Sequence, residues 1–123
     1  MIKIIATLLT LFAFNVSHAK VNVGIILGFT GPIETLTPGM SAGAELAFNE
    51  AADSGKLLNG QGINIIKVDS TCVDSAAATS AAESLISQGV TAIMGADCSG
   101  VTGAVLSNVA VPNGVPMISP SAT

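Results

Sequence analysis

Four short apolar runs, each stopped by a loop of small or hydroxylated residues, alternate with three stretches of helical period, and this alternation limits the possible folds more than any other feature. The runs are Val21 to Leu27, Ile63 to Val68, Thr91 to Met94 and Val115 to Ile118. Runs this short and this rich in Val and Ile read as strands covered on both faces. From about Gly39 the period changes: Met40, Ala44, Ala47, Phe48 and Ala51 share one helical face, with Glu45, Asn49 and Glu50 opposite and Gly55 as the stop. Asp74 is placed to cap a second helix whose apolar face is Ala78, Ala81, Ala82, Leu85 and Ile86, closed by Gly89. A third helix carries Val101, Val105 and Val109 and ends before Pro112. Strand–helix alternation predicts an α/β fold, a parallel sheet with helices on both faces.

With 123 residues, half of them hydrophobic, the chain has room for one core and one domain. Its net charge of −4 argues against a nucleic-acid partner, which needs a basic face to neutralise phosphates. All four basic residues are Lys, so the usual arginine clamp for a carboxylate is missing, and so are Trp and Tyr.

Residues 1–19 read as a secretory signal rather than as fold. Lys3 supplies the positive end, Ile4 to Phe14 the apolar stretch, and Ser17-His18-Ala19 the small residues of a cleavage site before Lys20. The apolar stretch is about half of the ~20 residues a spanning helix needs, and a short anchor or a buried strand are the alternatives. Removing the segment removes His18, the one histidine. Residues 20–123 would then hold no Ser-His-Asp triad, no Cys-His pair and no His-bearing zinc site. No metal, no cofactor and no enzyme activity is expected.

In an open α/β sheet, ligands bind beyond the carboxyl ends of the strands. Three loops at such ends, Gly28 to Pro32, Gly95 to Gly100 and Ser119 to Thr123, bring Thr30, Ser99, Ser119, Ser121 and Thr123. Ser99 would open a helix, where free N–H groups favour an anion. The alternative is that these hydroxyls only cap helices and satisfy loop backbone. Residues 95–102 imitate a phosphate-binding loop, but Val101 stands where the lysine is required. Asp69 reads as a loop residue and Asp97 as a solvated loop acid, with a place at the ligand rim as the alternative. Glu45, Glu50 and Glu83 read as helix surface. Cys72 and Cys98, the lone pair of cysteines, are most simply a disulfide in an exported protein, with a reactive thiol the poorer reading.

At these positions the chain resembles the type I periplasmic binding proteins, especially the branched-chain amino acid substrate-binding proteins of ABC transporters. The matching stretches are Gly28-Phe29-Thr30-Gly31-Pro32, Gly43 to Glu50, Val68 to Asp74, Gly95-Ala96-Asp97-Cys98-Ser99-Gly100 and Val115 to Thr123, in the family's order. The resemblance implies two Rossmann-like lobes closing over a ligand, with residues 20–123 forming the N-terminal part of lobe one. It implies that Ser99 and Thr123 hold an amino acid's α-carboxylate, that the backbone of Ser121 in the Ser121-Ala122-Thr123 segment meets the ammonium, and that Cys72 pairs with Cys98. Leu36 aligns with a position that touches the ligand side chain and is often aromatic. Thr30 is the remaining ligand candidate.

The expected function is therefore that of a periplasmic solute-binding component of an ABC importer, with a small amino-acid-like ligand and an inner-membrane permease as partners. An exported sensor of the same fold, binding an amide, a urea-like compound or a small organic acid, is the alternative. Because two lobes are implied and the sequence stops inside a ligand loop, the chain is expected to be incomplete.

Overall fold

The computed structural model describes residues 19–56 and 60–123. The expected export segment lies, apart from its last residue, outside the described residues. Strands β1 (Val21–Leu27), β2 (Ile63–Asp69), β3 (Ala92–Gly95) and β4 (Met117–Ile118) alternate with helices α1 (Thr37–Asp53), α2 (Ser75–Ser87) and α3 (Ser99–Val105). All neighbouring strands run parallel, in the order β2-β1-β3-β4. The chain leaves β1 in one direction and returns past it to β3, so the switch point lies between β1 and β3. Right-handed crossovers then place α1 on one face and α2 and α3 on the other.

The side chains of β1 match that division. Ile26 joins α2 and α3 residues in the main core, with Ala78, Ala82, Leu85, Ile93, Val101, Val105 and Val109. On the same face, Gly24 has no room for a side chain, because a Cβ there would lie 2.7 Å from Leu85 Cδ1. Alternation sends Val23, Ile25 and Leu27, all buried, to the α1 face. Asp74 caps α2 as its spacing requires, its Oδ1 accepting from the N–H groups of Ala76 and Ala77 at 2.9 Å each.

The helix ends and faces depart from expectation in three places. First, α1 begins at Thr37, two residues earlier than its period indicates, because Pro38 fits a first helical turn. Second, Ala47 is exposed, whereas Ser41 is buried and Glu45 half-buried. Glu45 is therefore not plain helix surface: it accepts from Ser41 Oγ at 2.7 Å and from Lys67 Nζ of β2 at 2.9 Å. The Ser41 hydroxyl, then Lys67, holds its carboxyl below the usual range. Third, α3 widens into a π-helical turn over Leu106–Ala110. A spacing of four drifts around a 3.6-residue helix, and the wider turn returns Val109 to the buried face.

The β4 ladder begins only at Met117 because Pro116 has no N–H, although its carbonyl accepts from Ile93 N at 2.9 Å. On the α1 face, an open apolar groove of about 330 Å³ runs between α1 and β4, lined by Gly39, Met40, Ala44, Met94, Ile118 and Pro120 among others. No helix among the described residues is long and apolar enough to cross a membrane.

Candidate functional site

The candidate ligand residues lie in the loops beyond the carboxyl ends of the strands. The loop after β1 is closed by the buried Thr37, whose hydroxyl donates to the carbonyls of Gly28 and Glu34 at 3.2 Å each. Thr30 is tied to the end of β2, its hydroxyl and N–H both donating to the Asp69 carboxylate. Asp69 also accepts from Thr71 N at 2.8 Å. Gly31, at φ +101°, lets the two loops touch: a Cβ there would lie 2.5 Å from the Thr71 carbonyl oxygen. Thr30 thus serves first as a loop tie.

Burial works against ionisation of Asp69, but the Thr30 hydroxyl and the N–H groups of Thr71, Thr30 and Phe29 outweigh it and hold the carboxyl below its usual value. A carboxylate of this kind contributes stability above its unfolded pKa, and that contribution is lost as pH falls through the folded one. Its effect should be complete above about pH 5 and decline through and below about pH 4. The acid-induced fall in melting temperature should accordingly be smaller in Asp69→Asn than in the wild type. An equal fall in both, followed by circular dichroism, contradicts this account.

The loops after β2 and β3 are joined covalently. Cys72 and Cys98 form a disulfide with their Cα atoms 5.2 Å apart, so the cysteine reading holds. Thr71 and Cys72 both take left-handed φ values, 58° and 70°, at the sharp turn this requires. Beyond β4, Ser119 builds the terminal turn. Its hydroxyl donates to the Ala96 carbonyl and accepts from the N–H groups of Ser121 and Ala122.

The two residues expected at a carboxylate do meet: Thr123 N donates to Ser99 Oγ at 3.2 Å, and both residues are exposed. The Ser121 hydroxyl turns inward to the Asp97 carbonyl at 2.7 Å, which leaves backbone as what Ser121 and the half-buried Ala122 offer a ligand. Leu36 is 59% exposed at the N-cap of α1.

Asp97 overturns its expected place. It is not a solvated acid but buried, 4% exposed, and accepts from Gly28 N, Ser70 Oγ and Cys98 N. Ser70, fully buried beneath it, was also not singled out by its sequence position. Nothing near Asp97 in sequence marks the role, since Gly28 and Ser70 are 69 and 27 residues away. No group of three or more His, Cys, Asp or Glu side chains able to hold a metal occurs among the described residues.

A sequence model of the family described as periplasmic binding protein matches residues 20–123. The chain belongs to the periplasmic binding protein family. Among relatives of this family, the Leu/Ile/Val-binding protein BraC3 of Rhizobium johnstonii is 31% identical over 119 residues, which are 96% of this chain and 32% of that protein. The branched-chain amino acid transporter substrate-binding protein LivJ of Streptococcus pneumoniae, solved with isoleucine, superposes with a TM-score of 0.75 at 32% identity. The match covers 85% of this chain and 30% of that one. The leucine-binding protein LivK of Thermotoga maritima superposes with a TM-score of 0.65 at 25% identity over 84% of this chain and 28% of that one. A Rhodopseudomonas palustris solute-binding protein in complex with 4-hydroxybenzoate shares the fold, with a TM-score of 0.67 at 20% identity over 85% of this chain and 28% of that one. The chain spans about a third of the length of these relatives. Family membership agrees with the parallel α/β sheet described above, which the solved relatives share.

Proposed function

We propose that this chain is the N-terminal part of lobe one of a two-lobed solute-binding protein, exported by a cleaved segment over residues 1–19, that delivers an amino acid to an ABC permease. The ligand's α-carboxylate sits between Ser99 and Thr123, and its ammonium faces the backbone of Ser121 and Ala122. The observation that carries this reading is the exposed Ser99–Thr123 pair, a hydroxyl and a backbone N–H brought together from two loops. A carboxylate entering there accepts hydrogen bonds from the Thr123 N–H and from the Ser99 hydroxyl, a recognition that needs no arginine. Leu36 contributes an aliphatic wall at the mouth. Relatives named for leucine, isoleucine and valine support an aliphatic amino acid as the ligand. The disulfide supports an oxidising compartment such as the periplasm.

Isothermal titration of the full-length protein with isoleucine, leucine, valine, small amides and 4-hydroxybenzoate tests this. At least one aliphatic amino acid should bind, and Ser99→Ala should weaken it about ten- to hundredfold, the loss of one hydrogen bond to a charged group. Binding of no member of the panel, or undiminished binding by Ser99→Ala, sinks the proposal.

A further inference from the structure

Resting on the binding role proposed above, we infer that Asp97 is the positioning residue of the ligand site, the buried group that sets the four strand-end loops relative to one another. Its reach is unusual for one side chain. Oδ2 accepts from Gly28 N at 2.8 Å, the first residue beyond β1. Oδ1 accepts from Ser70 Oγ at 3.3 Å, the first residue beyond β2, and from Cys98 N at 3.1 Å, the residue before Ser99. Its main-chain carbonyl accepts from Ser121 Oγ at 2.7 Å, beyond β4. One residue therefore touches all four carboxyl ends of the sheet and sits across the switch point between β1 and β3.

The chemistry explains why the group is an acid. Three donors converge on one buried spot, and a carboxylate has lone pairs for all three while contributing no donor of its own. Asp97 has no ion-pair partner among the described residues, so hydrogen bonds alone compensate its burial. The site is also tightly shaped, since a Cβ on Gly28 would lie 3.4 Å from Asp97 Oδ2 and 3.2 Å from Cys72 Cβ. Asp97 does not touch the exposed Ser99–Thr123 pair. It acts through Cys98, which sets the entry into α3 and so the position of Ser99, and through Ser121, whose hydroxyl orients the backbone before Thr123.

Titration of L-isoleucine into full-length wild type, Asp97→Asn, Asp97→Ala and Ile93→Val, at a temperature where all are folded, tests the assignment. Asn keeps one acceptor oxygen and should weaken binding about tenfold, and Ala, which strands all three donors, by about tenfold more. Ile93→Val trims the core away from the site: it should lower the melting temperature yet keep affinity within about twofold, separating stability from positioning. Should Asp97→Ala not fold, Asp97→Asn decides, and binding by that variant within about twofold of wild type overturns the inference. Backbone amide spectra give a second reading that needs no ligand. In Asp97→Asn the amides of Gly28, Ser99, Ser121 and Thr123 should shift together, while those of Ile25 and Leu85 stay in place. If wild type binds neither isoleucine nor the wider panel, the proposed function fails and the spectra still judge Asp97: unmoved Ser99 and Thr123 amides refute its positioning role.

Discussion

Gly95→Ala is expected to abolish folding, leaving a chain with no cooperative thermal transition. Gly95 ends β3 directly opposite Ile26 in the parallel register, at φ +122°. A Cβ there would lie 1.8 Å from the Ile26 carbonyl oxygen and 2.8 Å from its carbonyl carbon. These are main-chain atoms of the central strand, which is paired on both sides, and Ile26 is wholly buried. No flexible side-chain end is available to swing aside, so relief requires parting β1 from β3. The left-handed backbone alone costs an L-residue about 1–3 kcal/mol. With the overlap added, the loss should exceed the 4–5 kcal/mol that marks exceptional substitutions, against a total stability of about 5–15 kcal/mol. Gly39→Ala and Gly43→Ala are the contrast. Both sit in α1 with nothing within 4 Å of the added methyl, and each should be neutral or raise stability by up to about 1 kcal/mol. Circular dichroism melts of the three variants check the set, and a Gly95→Ala protein melting within a few degrees of wild type would refute it.

The sheet and its helices were legible because they are written in local period. The buried faces of α2 and α3, the Asp74 cap and β1 in full follow from spacing alone. What local period cannot carry is which distant loops meet. Asp97 looked like a solvated acid because its three donors come from Gly28, Ser70 and Cys98, and two of these become neighbours only once the strand order is set. Glu45 misled partly for the same reason, since of its two partners Ser41 is one helical turn away but Lys67 lies 22 residues away on another element. Ala47 shows the limit of hydrophobicity as a guide: alanine is small enough to be exposed at little cost, so the face of α1 was decided by Ser41, Glu45 and the strand beneath. Ser99 and Thr123 were each candidates by their place in strand-end loops, but only the family resemblance coupled them, because a lone hydroxyl in a loop is as well explained by capping. Joined at 3.2 Å across two loops, the pair has a geometry that sequence spacing does not contain.

Removing the Cys72–Cys98 bridge is the second large effect expected. The cysteines are 26 positions apart, and closing a loop of that length restricts the unfolded chain enough to contribute about 3–4 kcal/mol. The native turn adds nothing to this, because the bridged residues are themselves constrained. Thr71 and Cys72 are held at φ 58° and 70°, values that residues with side chains rarely take, and the bridge together with the Asp69 carboxylate keeps the turn in that form. Once the bridge is cut, the Thr71 carbonyl is free to leave its close contact with Gly31, and Cys98 is held only by the hydrogen bonds that position Ser99. Stability and ligand affinity should therefore fall together in Cys72→Ala/Cys98→Ala, stability by about 3–4 kcal/mol in urea unfolding. Reducing the wild type with dithiothreitol should reproduce that loss, and the same treatment should leave the double variant unchanged. A fully reduced wild type with an unaltered unfolding midpoint would mean that the hydrogen bonds around Asp69 and Asp97 hold the strand-end loops without covalent help.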